Sequence, residues 1–291
     1  MKYRITHNTT YRYSEPASLS QNELFLHPRE TGTQHVVESR LAITPEPRYL
    51  SRRIDYFGNI ARVFMVQQPH KELAIAATSI VNITPPAIPP AAATPTWETV
   101  AQIMSAHELP AELDAYQFVF ASPLITVGSA ARDYASPSFA PGTPVLTGTV
   151  DLMRRIYTEF SYDKSATTVD TSVDLVLASR KGVCQDFAHV AISCLRSLGL
   201  AARYVSGYLK TVPPPGKPKL IGADASHAWI SLFVPDAGWV DLDPTNNLIP
   251  GETHITLAWG RDYGDITPVK GVVMGGGSHT LSVVVNVATE G

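Results

Sequence analysis

The sequence predicts an α+β protein: an all-β, sandwich-like N-terminal domain, a connector, and a unit in which a long helix packs on an antiparallel sheet. Three observations carry this. No segment before residue 84 has helical periodicity, and its short alternating runs are separated by Pro, Gly and Asn. TPPAIPPAAATPT, residues 84–96, then puts five prolines in thirteen residues and no charge, the composition of a stiff linker. Beyond residue 143, apolar residues first recur at helical spacing and then alternate as strands do. The boundaries read from this are 1–84 for the β-domain, 85–142 for the linker and helical connector, and 143–291 for the second unit with a C-terminal strand.

Composition narrows the class. The 291 residues are 44% hydrophobic and 17% charged, with a net charge of -3. That is apolar enough for a proper core and argues against disorder. There is no Lys/Arg cluster, so no nucleic-acid partner is expected. The N-terminus alternates polar and apolar residues instead of forming an apolar core like a signal peptide's, and no stretch approaches the roughly 20 apolar residues of a membrane span. The expectation is a cytoplasmic protein with no membrane partner.

The elements follow in order. Tyr3 and Ile5, then Tyr11 and Tyr13, alternate with polar neighbours as strand residues do. HVVESRLAIT (35–44), the run after the turn in DYFGNIARVFMV (55–66), and LAIAATSIVNIT (73–84) are further strands. Thr96 can cap a helix starting at Trp97. Short helices follow in ETVAQIMSAHELP and SAARDYASP. In TPVLTGTVDLMRRIYTEFSYD (143–163), Thr143 is a good N-cap and Pro144 suits the first helical position. Leu152, Met153, Ile156, Tyr157 and Phe160 then recur at helical spacing. The next helix contains KGVCQDFAHV (181–190). Phe187, Ala191, Leu195 and Leu198 mark its core face, and Gly199 sits where a left-handed cap is usual. The strands AARYVSGYL, SHAWISLFV and GWVDLD come next, the first two joined by a proline-rich loop, TVPPPGKPK, and the last two by the turn PDAG. GGGSHTLSVVVNVAT is one more strand after a glycine turn.

Two cysteines ten residues apart make no disulfide framework. Cys184, His189 and Cys194, spaced five and five, turn away from one another on a helix of 3.6 residues per turn, so no metal site is expected. Cys194 and His189 read as core residues. Cys184 lies at the first turn of its helix, where unpaired N–H groups and the dipole favour an anion. A thiol becomes a good nucleophile when a histidine takes its proton and a carboxylate orients that histidine. His227 begins one strand and Asp243 ends the next, and the turn at Pro235–Gly238 folds the two together. A two-residue turn would set His227 opposite Pro244. Asp241 shares the face of Asp243, and spacing does not choose between them. Asp186, in the same first turn as Cys184, suits the helix dipole and reads as structural.

GVCQDFAHV, ARYVSGY, HAW and GWVDLDPTNN, in this order over residues 182–247, resemble the core of the transglutaminase-like superfamily. YRITHNTTYRYSEPASLSQNELFLHPRE and DYFGN resemble the N-terminal region of its bacterial members. The resemblance implies a papain-like core in which Cys184 is the nucleophile, His227 the general base and acid, and Asp243 the orienting carboxylate. It implies acyl transfer on a peptide or protein amide through a thioester, with no cofactor and no metal. Bacterial members being mostly hydrolases, it favours a cysteine peptidase or amidase. The alternatives are a protein-glutamine transglutaminase, which resolves the thioester with an amine, and a non-catalytic binding module. The oxyanion donors expected are the backbone N–H of Cys184 and the side chain of Tyr162. Trp229 and Tyr208 are candidates for the cleft wall, while Arg203 and Trp239 either line the cleft or pack against the helix.

Overall fold

The computed structural model describes residues 1–211 and 225–290; most of the TVPPPGKPK loop lies outside them. Residues 2–83 build one antiparallel sheet on a single long strand. This strand, β1 (Lys2–Leu24), is followed by β2 (Gln34–Thr44), β3 (Tyr49–Ile54), β4 (Ile60–Val66) and β5 (His70–Ile83). Residues 2–12 of β1 pair with β5, and residues 20–24 pair with β4. Its register breaks between Arg12 and Ala17, and the break is matched by the gap between β4 and β5. The strands on both sides of this corner share one core, with Ala17, Leu24, Phe64 and Val66 against Tyr13, Leu73 and Ile75. The all-β domain is therefore one sheet folded at a corner.

A helical connector comes next: α1 (Trp97–Ala106), α2 (Pro110–Tyr116) and α3 (Ser129–Ala135). Thr96 caps α1, its side chain accepting from Thr99 N at 3.3 Å. The following helix, α4 (Val145–Glu159), starts one residue later than Thr143 and Pro144 suggest. Pro144 is held extended by a bridge to Thr96, with Trp97 N donating to Thr143 O and Val145 N to Pro95 O. A long-range pairing thus displaces the local capping signal.

The second half continues with β6 (Ser161–Tyr162), α5 (Val173–Ser179), β7 (Lys181–Gly182) and α6 (Cys184–Ser197), then β8 (Ala202–Leu209), β9 (Ala225–Val234), β10 (Gly238–Leu242) and β11 (His254–Gly260). These last four form a sheet in the order β10-β9-β8-β11. Every residue of α6 from Asp186 to Arg196 is buried, so the helix is enclosed on all sides. Phe187, Ala191 and Leu195 join Leu152 and Ile156 of α4 and Tyr204, Ile230 and Leu232 of the sheet in one core. Gly199 follows with φ +78°. Cys194 is fully buried, and burial pushes its thiol up to about 12, as befits a core cysteine. Gly207 of β8 is obligatory for a different reason. A Cβ there would collide with the Ile255 carbonyl and lie 2.5 Å from the Trp229 ring.

The chain ends in β12 (Val269–Gly275) and β13 (His279–Thr289). The sequence assigns this segment to the second unit. Instead both strands pair with β1, β12 along residues 17–24 and β13 along residues 3–13. They break where β1 breaks, at Gly275, Gly276 and Gly277, whose φ values of +79°, +84° and +61° only glycine adopts freely. Among the described residues, no helix is long and apolar enough to cross a membrane.

Candidate active site

Cys184 is the first residue of α6, and the two short strands β6 and β7 place it. They pair in parallel, Tyr162 opposite Gly182. Val183 is extended, and its N–H donates to Asp186 Oδ2 at 2.8 Å. Thr167 Oγ1 donates to the same oxygen at 2.7 Å. Burial pushes the Asp186 carboxyl up and these two hydrogen bonds pull it back. Asp186 is thus the anchor of the helix start, in the structural role its position implies. Cys184 itself is partly exposed.

His227 and Asp243 meet across β9 and β10. The turn between these strands spans three residues, with Asp236 and Gly238 left-handed, and it pairs Asp241 with Ser231. Continuing that register puts Asp243 opposite Trp229, two residues along from His227. Two diagonal rungs follow on one face of the sheet. His227 Nε2 lies 2.7 Å from Asp243 Oδ2, and Trp229 Nε1 donates to Asp241 Oδ2 at 3.0 Å. The choice between the aspartates is therefore resolved by geometry, each carboxylate serving its own rung. Cys184 and His227 line the same cleft. His227 Nε2 is committed to Asp243. Burial pulls the His227 pKa down, but the hydrogen bonds and charges of Asp243 and Cys184 outweigh it and carry it up to about 10.

A thiol at a helix start and a histidine thus share one cleft, with a buried carboxylate bonded to the histidine. Two family descriptions match this chain: the bacterial transglutaminase-like N-terminal region over residues 3–82, and the transglutaminase-like superfamily core over residues 132–244. An uncharacterized protein of Mycobacterium tuberculosis is 43% identical over 281 residues, 94% of this chain and 87% of its own length. The chain belongs to the transglutaminase-like superfamily. A protein-glutamine gamma-glutamyltransferase of Pseudomonas aeruginosa is 34% identical over 86 residues, 29% of this chain and 13% of that protein. Among solved structures, a candidate cysteine protease from Cytophaga hutchinsonii shares the fold. It has a TM-score of 0.77 at 21% identity, covering 99% of this chain and 90% of that one.

In this transglutaminase-like chain Asp243 is held by more partners than His227 alone. His254 Nε2 lies 3.0 Å from Oδ2, and Asn246 Nδ2 donates to the same oxygen at 2.7 Å. The backbone N–H groups of Thr245 and Asn246 donate to Oδ1 at 2.9 and 3.2 Å. Burial pushes the carboxyl up, and the hydrogen bonds from His227, His254 and Asn246 with the charge of His227 outweigh it, holding Asp243 well below the usual carboxylate range. Sequence reasoning missed His254 and Asn246. Asn246 follows Asp243 by three residues in a turn, a local signal that was readable. His254 opens a strand on the far edge of the sheet and carries no such signal. The ligand atoms of His227, Asp243 and His254 lie within 4.8 Å of one another, the spacing of a three-ligand metal site. Each is already spent on a hydrogen bond within the set, which fits a proton-ordering network better than a metal centre.

A cleft of about 530 Å³ opens in front of Cys184 and His227. Tyr204, Ser206 and Tyr263 form its near side. Its far wall comes from the N-terminal sheet: His7 and Tyr11 of β1, and Leu281, Val283 and Val285 of β13. Tyr162 is half exposed near Cys184, its ring edge-on to Phe187. The two aromatic residues expected in the cleft wall are elsewhere. Tyr208 is buried and bonded through its hydroxyl to His7 Nδ1 at 3.0 Å, stitching the sheets together. Trp229 shares the face of His227 but is fully buried behind it, edge-on to His254. Arg203 and Trp239 do not line this cleft. His189 is a core residue, accepting from Tyr263 N at 3.2 Å, and burial lowers its pKa to about 4.

Proposed function

We propose that this protein cleaves peptide or protein amides as a cysteine-dependent hydrolase. The observation that carries the reading is that Cys184 and His227 face one cleft while His227 is hydrogen-bonded to the buried Asp243 carboxylate. His227 takes the thiol proton, and the raised imidazolium is stabilised by the buried Asp243 carboxylate. The Cys184 sulfur attacks the amide carbonyl and a C–S bond forms. The oxyanion is received by the Cys184 N–H at the helix start and by the Tyr162 hydroxyl. Burial first, then the charges of Cys184 and Asp186, raise the Tyr162 pKa, so the phenol stays a donor. His227 returns its proton to the leaving amine as the C–N bond breaks. Water then loses a proton to His227, adds to the thioester and releases the acid and Cys184. Partial exposure of Cys184 beside an open cleft favours water as the acceptor.

A second reading is a protein-glutamine transglutaminase, supported by the 86-residue match to the Pseudomonas aeruginosa enzyme. The chemistry is common up to the thioester. Incubation with peptide amides, with and without a primary amine, separates the two by product mass. Hydrolysis predicts free acid and ammonia or amine at a rate indifferent to the added amine. Amine-stimulated turnover with the amine incorporated would overturn it. Iodoacetamide tests the enzyme reading itself. It is expected to alkylate Cys184 and spare Cys194, and His227→Ala is expected to slow labelling at least tenfold. A wild-type Cys184 that labels no faster than in His227→Ala would point to a binding module.

A further inference from the structure

A second cavity, of about 390 Å³, is lined in part by His254 and does not include Cys184 or His227. Its lining includes Arg203, Trp239, Asp241, Thr256 and Trp259. Arg203 stands on β8 directly across from Ser231 of β9, which in turn faces Asp241 of β10. The Arg203 residue is only 7% exposed. Its guanidinium lies between two indoles, 3.7 Å from the ring centre of Trp259 and 4.1 Å from that of Trp239. Arg29 covers the opposite face of Trp259 at 3.5 Å, so two cations share one ring.

With both flat faces covered, the Arg203 guanidinium has only its N–H edge left for polar contact. Nε has no hydrogen-bond partner among the described residues, nor has the Oγ of fully buried Ser231 beside it. Asp241 acts on Arg203 through space, but one of its oxygens is engaged by Trp229. Buried donors of this kind are ordinarily satisfied. A guanidinium edge matches the two coplanar oxygens of a carboxylate. The indoles and Ile249 offer an apolar wall for a short carbon chain. A doubly charged phosphate would meet repulsion from Asp241. We propose that this cavity is a binding site for a small organic monocarboxylate, held by the edge of Arg203 between Trp239 and Trp259.

The test is an NMR titration of the full chain with propionate, following the indole N–H resonances. Saturable shifts of Trp239 and Trp259 are expected, with Trp97, far along the connector, unmoved. Propionamide, which has the shape without the charge, should produce no saturable shift. Arg203→Met should weaken propionate binding at least tenfold. Should that variant fail to fold, Asp241→Asn carries the test: it keeps an acceptor for Trp229, removes the competing charge, and should tighten binding about threefold or more. Cys184→Ala should bind propionate as the wild type does, which separates this site from the cleft and from its proposed chemistry. The proposal is overturned if propionate gives no saturable shift, if a folded Arg203→Met binds it equally, if Asp241→Asn leaves the affinity unchanged, or if inorganic phosphate binds as tightly.

Discussion

Replacing Asp243 by Asn probes the site at its most connected atom. The carboxylate accepts five hydrogen bonds, three of them at Oδ2. An amide that keeps its oxygen toward Thr245 and Asn246 N–H turns an NH₂ group toward three donors. The raised His227 pKa, from 6.5 to about 10, is worth at most roughly 5 kcal/mol at 1.36 kcal/mol per unit, shared between Asp243 and Cys184. Breaking a buried pair by removing one partner costs about 3–5 kcal/mol. Asp243→Asn is therefore expected to destabilise the fold by ~3 kcal/mol or more at pH 7, read as a urea midpoint shift at constant slope. The pH profile gives the sign. His227 binds its proton more tightly when folded, so its contribution is complete below pH 6.5 and is lost as pH rises toward 10. Asp243 is depressed, so its contribution is present above about pH 4 and is lost below. Wild type should weaken at both ends, and Asp243→Asn should flatten both limbs. Alkylation of Cys184 at pH 7 should slow at least tenfold. A variant within 1 kcal/mol of wild type, with an unchanged pH profile, would refute the network as described.

Further outcomes follow from single contacts. His254→Leu leaves Asp243 with one donor fewer and should cost about 1–3 kcal/mol, with alkylation slowed severalfold; full stability and full reactivity would make His254 a bystander. Tyr162→Phe should lower kcat about 10- to 100-fold on an amide substrate with KM nearly unchanged, while iodoacetamide labelling, which needs no oxyanion donor, stays at the wild-type rate. Gly207→Ala places a methyl against the Ile255 carbonyl and the Trp229 ring, so loss of at least 3 kcal/mol or insoluble expression is expected, and a wild-type melting temperature would contradict the close approach.

What was legible in the sequence was local or periodic. The Thr96 cap, the core face of α6 at Phe187, Ala191 and Leu195, and the left-handed Gly199 all depend on neighbours within a few residues. The pairing of HAW with DLD was readable too, because a short turn fixes the register to within a residue or two. The failures lie where distant segments decide. Pro144 is extended because Thr96 reaches it from 48 residues away. Trp229 alternates to the same face as His227, yet β11, a strand far along in sequence, buries it behind the site. His254 joins the site from that same strand. Tyr208 points at His7, 201 residues earlier, and alternation could not say that an N-terminal strand would cover it.

The interlocking of β1 with β13 also orders events in time. Tyr3 pairs with Val81 on one side and Thr289 on the other, so one edge of the first strand finds its partner early and the other waits for residue 289. At ~5–20 residues per second that wait is roughly 15–60 s on the ribosome. Residues 143–260, which carry Cys184, His227 and Asp243, emerge earlier. A nascent chain thus holds Cys184, His227 and Asp243 before it holds the β13 part of its cleft wall. Leu281, Val283 and Val285 join the cleft wall after Cys184, His227 and Asp243 have been made, and loss of β13 would remove that part of the wall.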